Sequence, residues 1–119
     1  MSTLDKALQA LLQMAHWDLL WTNATPTSTF PVQTLIVPNI SQYDLYAVFY
    51  SLDTEETLLS STIGQVGHGT YMLSITGTGY GRRAIATQSG DSVYFQGGRL
   101  NNANDNKYQI PWYIYGFNF

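Results

Sequence analysis

The sequence predicts an all-β fold, a β-sandwich or jelly-roll-like fold of about eight strands with a short N-terminal helix. Three observations point to it. From Trp17 onward, short runs with apolar residues at alternate positions are separated by turns about every 8–14 residues. Charged residues make up only 11% and aromatic residues 14%, with nine Tyr, a balance suited to pleated surfaces and to surfaces that meet other surfaces. The chain also closes on an aromatic run, Lys107 to Phe119. At strand period, Tyr108, Ile110, Trp112 and Ile114 share one face; Lys107, Gln109 and Pro111 begin the other, and Tyr113, Tyr115, Phe117 and Phe119 finish it. Each such side chain stabilises by about 1.5–3 kcal/mol when fully buried, so a strand apolar on both faces calls for a cover, either a second sheet or another copy of the chain.

Residues 3 to 15 carry the one helical pattern, with Leu4, Leu8, Leu11 and Ala15 forming a seam of coiled-coil type. Ser2 and Asp5 resemble a capping box built with the shorter acid. A helix this short is marginal alone, so its seam needs a partner: the open end of its own sandwich, or identical helices in a stalk. Residues 1–16 are therefore assigned to this helix and residues 17–119 to the β-sandwich domain.

Strands follow in order. Trp17, Leu19 and Trp21 alternate with Asp18, Leu20 and Thr22 in a first strand, and a Pro-, Thr- and Ser-rich loop separates it from a second over Val32–Val37. Tyr43 to Leu52 is apolar on both faces, which places it at a sheet centre or beneath an interface. Asp53 to Glu56 is a polar turn, Leu58 to Ile63 the returning strand, and Gly64 to Thr70 a loop. Tyr71 to Thr76, Arg82 to Gln88 and Val93 to Phe95 are further strands, divided by Gly77–Gly81 and Ser89–Asp91. Gly97 to Asn106 reads as a Gly- and Asn-rich loop before the final strand.

Several chemistries find no support in the pattern. Glu55 and Glu56 are adjacent in a turn and point apart, whereas glycosidic chemistry needs two carboxyls about 5–10 Å apart across a cleft. His68 has no nucleophile elbow beside it, and His16 sits at the helix-to-strand junction; two isolated histidines and no cysteine argue against a metal site. Gly77 to Gly81 lacks the Lys-Ser/Thr of a phosphate loop, and Asn101 to Asn106 has one acid where a calcium loop needs several. The expectation is a non-enzyme without cofactor. A net charge of −3 and pI near 5 argue against nucleic acid. With no apolar run of membrane-spanning length and no secretory pattern, the expected product is soluble and made in the cytoplasm.

One class of ligand fits the surplus of aromatics. Sugars stack on aromatic faces and take hydrogen bonds from amide, carboxylate and guanidinium groups. Tyr80, Arg82, Arg83, Arg99, Asn101, Asn102 and Asp105, all in or beside loops, supply that mixture and are the candidate ligand residues. Leu4, Leu8, Leu11, Tyr113, Tyr115 and Phe117 are the candidate contacts between copies of the chain.

Four stretches then carry a resemblance: Leu20-Trp-Thr-Asn-Ala-Thr-Pro-Thr-Ser-Thr-Phe30, Tyr43-Asp-Leu-Tyr-Ala-Val-Phe-Tyr50, Gly81-Arg-Arg83 with Val93-Tyr-Phe95, and Ile110-Pro-Trp-Tyr-Ile-Tyr-Gly116. From about Trp17 to the end the chain resembles the C-terminal head domains of tail-fibre and receptor-binding proteins of phages and prophages of Gram-positive, especially gut, bacteria. The resemblance implies a sandwich head, three copies around an axis, at the tip of a virion appendage. Its partners would be its own copies, other virion tail proteins and a host cell-wall polysaccharide or surface glycan. A purely structural virion subunit (baseplate, fibre connector or capsid decoration protein) is the alternative. It brings no set of receptor-binding residues to carry over.

Overall fold

Ten strands in two antiparallel sheets form the protein in a computed structural model that describes residues 2–6, 16–77 and 79–119. The first sheet has the order β1-β10-β3-β4: β1 (Trp17–Thr22), β10 (Tyr108–Phe117), β3 (Leu45–Asp53) and β4 (Leu59–Gln65). The second contains β2 (Gln33–Ile36), β7 (Ser92–Phe95), β6 (Gly79–Thr87), β8 (Arg99–Leu100) and β9 (Ala103–Asn104). There β5 (Gly69–Thr76) runs along one edge of β6, while β7 and β8 share the other. A 3-10 turn, Ile40–Gln42, precedes β3. The all-β sandwich expected from alternation is the fold observed.

The eight expected strands appear within a few residues of their predicted bounds. The two extra ones, β8 and β9, lie in the Gly97–Asn106 segment read as a loop. Residues 3–6 are helical, and the capping box is reciprocal: the Asp5 N–H donates to Ser2 Oγ at 3.1 Å and the Ser2 N–H to an Asp5 carboxylate oxygen at 3.4 Å. The rest of the expected helix, with Leu8 and Leu11, lies outside the described residues; Leu4 is exposed.

The core lies between the sheets. Tyr46, Val48 and Tyr50 of β3 and Ile110 and Ile114 of β10 meet Met72, Ile85, Val93 and Phe95 of the second sheet. Phe30 and Phe95 pack edge to face with ring centroids 5.0 Å apart, and Trp21 closes on both. Trp21 therefore does not share a face with Trp17 and Leu19, as simple alternation predicted. The β1–β10 register shifts between Leu19 and Trp21, and such a bulge reverses the side to which later residues point.

Arg83, expected among the ligand residues, is instead wholly buried in the core. Its guanidinium has five N–H donors, and five backbone carbonyls accept from them. Nε donates to Gln109 at 2.9 Å, Nη1 to Phe30 and Gln96 at 2.9 and 2.8 Å, and Nη2 to Tyr108 and Asn106 at 2.8 and 3.3 Å. The group also lies over the Phe30 ring, 5.4 Å from its centroid. Burial draws it down to about 10, still protonated at neutral pH. With no carboxylate among its hydrogen-bond partners, carbonyl dipoles hold the charge and tie β6, β10 and the segments after β1, β7 and β9 to one point. The group is structural, and no donor remains for a ligand.

Tyr46 supplies a pH test of the same core. Burial pushes its phenol up to about 12, and its hydroxyl donates to the His68 carbonyl at 2.9 Å. Between pH 10 and 12 the unfolded chain has lost this proton and the folded one keeps it, so the contribution is lost as pH rises. Arg83 acts oppositely in this window, because its folded value lies below its unfolded one. Tyr46→Phe should therefore show less alkaline loss of stability than the parent between pH 10 and 12 in urea titrations. Parallel curves would show that Tyr46 ionises as freely folded as unfolded.

Candidate functional site

Strand β6 builds the site. Because successive side chains face opposite ways, Gly81, Arg83, Ile85 and Thr87 turn into the core, while Tyr80, Arg82, Ala84 and Ala86 take the outer face. On one side Tyr80 is opposite Ile75 and Arg82 opposite Leu73 of β5; on the other, Arg82 is opposite Arg99 of β8. The β8–β9 hairpin turns at Asn101 and Asn102, and Asn101 adopts a left-handed backbone (φ 54) that Asn tolerates better than most residues. Asn101 then docks on β6: its N–H donates to the Tyr80 carbonyl at 2.7 Å, and its side-chain oxygen accepts from the Tyr80 N–H at 3.3 Å.

The result is a shallow cleft of about 120 Å3 lined by Tyr80, Gly81, Arg82, Arg99, Asn101 and Asn102. Five of the seven residues singled out from sequence thus meet in one place. Tyr80 stands 65% exposed at its rim, free to present a ring face. The Arg82 guanidinium lies over the Tyr71 ring, 5.4 Å from its centroid. Arg83 is excluded by its burial. Asp105 lies beyond the hairpin, in a separate depression with Thr29, Asn104 and Asn106, and pairs loosely with Lys107 at 3.9 Å.

Gln109 supports the cleft from beneath, although alternation alone places it on the wet face of the last strand. It is fully buried, with a left-handed backbone (φ 46). Its side-chain oxygen accepts the Arg99 N–H at 3.1 Å, and its amide nitrogen donates to the Arg99 carbonyl at 3.0 Å and to Ser74 Oγ at 2.6 Å. This amide clamp sets the height of β8 above β10. Gly81 fits the same crowded floor, where a Cβ would meet the Arg99 carbonyl and the Gln109 amide. A buried amide in an otherwise polar-looking stretch leaves no local pattern; its partners at positions 74 and 99 are distant in sequence.

A second surface is apolar. On the outer face of the first sheet, Phe117 pairs with Trp17 and Leu45, Tyr115 with Leu19 and Ala47, and Tyr113 with Thr22 and Phe49. Ile63 and Ser61 of β4 extend the last two rungs. Trp17 and Phe117 have ring centroids 4.9 Å apart, and Phe49 and Tyr115 pack edge to face at 5.5 Å. Trp17, Ala47, Phe49, Ser61, Ile63 and Tyr115 line an apolar groove of about 330 Å3. Tyr113, Tyr115 and Phe117 are half-buried here rather than enclosed in the core, while Leu19 and Ile63 are more than half exposed.

An Asp53 carboxylate oxygen accepts from the N–H groups of Glu55 and Glu56, both at 2.9 Å, so these acids belong to a turn. His68 is exposed at the β4–β5 turn, and His16 reaches Asp18 at 3.1 Å. Among the described residues no three His, Asp or Glu side chains gather as metal ligands. Compared with protein-family models, curated proteins and solved structures, the chain matches none.

Proposed function

We propose that the chain is the head of a phage tail fibre or receptor-binding protein, a non-enzymatic homotrimer that attaches a virion to a host cell-surface glycan. The observation that carries this reading is the cleft: an exposed tyrosine, two arginines and two asparagines, the side-chain types that hold sugars, meet at a hairpin on the outer face of β6. Stacking against Tyr80 would set the sugar plane, and Asn and Arg donors would choose among hydroxyl patterns. One such site is small and weak; copies on a trimer, and many fibres on a particle, multiply its hold. The apolar outer face of the first sheet supports the trimer, since sister copies would take Tyr113, Tyr115 and Phe117 out of water. In this reading the protein is made in the bacterial host cytoplasm, contacts other tail proteins and ends on the virion appendage.

Retention on a glycan array tests the reading directly. Binding by the parent protein, reduced about tenfold or more in Tyr80→Ala as expected for a lost stacking platform, supports it; a blank array overturns it. A second reading, a purely structural virion subunit such as a baseplate, fibre-connector or capsid decoration protein, draws on Ile36, Leu73 and Ile75, which are 67%, 58% and 90% exposed on the outer face of the second sheet. Apolar surface on both sides of a sandwich suits a subunit packed between neighbours, and that reading predicts the blank array.

A further inference from the structure

Arg82 and Arg99 are direct partners across the β6–β8 ladder, so two guanidinium side chains start from the same rung and line the same cleft. Like charges placed opposite each other weaken a strand pair unless an anion sits with them. No protein group supplies that anion. Among the described residues the close contacts between basic and acidic side chains are His16–Asp18 and Lys107–Asp105, and the cleft has no acidic lining residue. The chain has only five Lys and Arg in total against eight acids, and Arg83 is turned inward. Two of the remaining four cations are therefore spent on one rung. Arg99 adds an unmet donor: its Nε is buried with no hydrogen-bond partner, although its backbone N–H and carbonyl are both held by Gln109. The strand is anchored, and the side chain alone is unsatisfied.

We infer that the cleft selects an anionic glycan, holding a phosphodiester or carboxylate group of the polysaccharide between Arg82 and Arg99. Both anions present paired oxygens at the spacing of guanidinium N–H groups, and charge-assisted bonds of this kind are the stronger ones. Tyr80, at the rim, would stack on the adjoining sugar ring, and Asn102, at the hairpin tip, would bond its hydroxyls. This rests on the glycan-binding reading above and specifies the class of glycan.

The test is an array carrying neutral, uronate-containing and phosphodiester-linked glycans, probed with the full chain in its own assembly and with Arg82→Gln, Arg99→Gln and the double variant. The expected result is signal on charged glycans only, falling with added salt, and weaker by about tenfold in each single variant. Each variant removes one of two like charges from the rung, so thermal melts of the variants should be no lower than the parent's. Signal confined to uronates or to phosphodiesters identifies the anion. Signal on neutral glycans, or charged-glycan binding that survives the double variant, overturns the anion assignment while leaving the glycan-binding head intact. A blank array overturns both.

Discussion

Arg83→Met is expected to destabilise the protein by about 3–5 kcal/mol, because methionine fills the space but takes the guanidinium donors away from the Phe30, Gln96, Tyr108 and Gln109 carbonyls, while the Asn106 carbonyl keeps the Phe30 N–H. Replacing a complete buried ion pair by apolar residues can be neutral, but here the acceptors are main chain and remain. Arg83→Lys should recover little. An ammonium offers three donors on a flexible stem and cannot reach five carbonyls arranged around a planar fork. Arg82→Met is the control: its neighbour in sequence, on the same strand, exposed, and expected to change stability by about 0.5 kcal/mol or less. Urea denaturation of the three variants reads the contrast. An Arg83→Met protein within about 1 kcal/mol of the parent would mean that the carbonyls find other partners and that the guanidinium does not join the sheets.

In the proposed trimer, Tyr115→Glu is expected to leave the chain a monomer. Tyr115 sits mid-face on the first sheet, between Leu19 and Ala47 on its rung, beside Phe49 and Tyr113, and lines the apolar groove. A carboxylate there would be stripped of water in any interface formed by this face; an uncompensated buried charge costs several kcal/mol, enough to move the assembly equilibrium by three orders of magnitude or so. In the isolated subunit the same side chain is only half-buried and can turn to solvent, so the fold should persist. Light scattering with far-UV circular dichroism separates the effects. A trimeric mass for the parent and a folded monomer for Tyr115→Glu support the interface. A parent that is itself monomeric at micromolar concentration, or a variant that keeps the parent mass, removes this face from the assembly.

Strand periodicity reached far into this fold, because alternation and turn chemistry are local properties. It did not reach β8 and β9, since two-residue strands show no period and their Gly and Asn content resembles a loop. They form because β6 has an edge left open by the short β7 and because Gln109 holds Arg99 in place. Nor did it reach Trp21, whose side is set by a bulge that exists only against β10. The cleft was half legible. Residue type brought Tyr80, Arg82, Arg99, Asn101 and Asn102 into consideration, and the β6–β8 pairing brought them together. Neighbours on a strand face opposite ways, so one of Arg82 and Arg83 has to point inward once both lie on β6.

By itself the chain of residues determined an all-β sandwich, the positions of its eight longer strands, and a closing strand with more apolar surface than one core accepts. Each of those follows from spacing between near neighbours. Only the tertiary structure decided which arginine became a buried tie and which an exposed contact, for the carbonyls that accept from Arg83 lie 13 to 53 residues away along the chain. A hydrogen bond is specified by two groups meeting in space, and when those groups are far apart in sequence their meeting is a consequence of the whole fold.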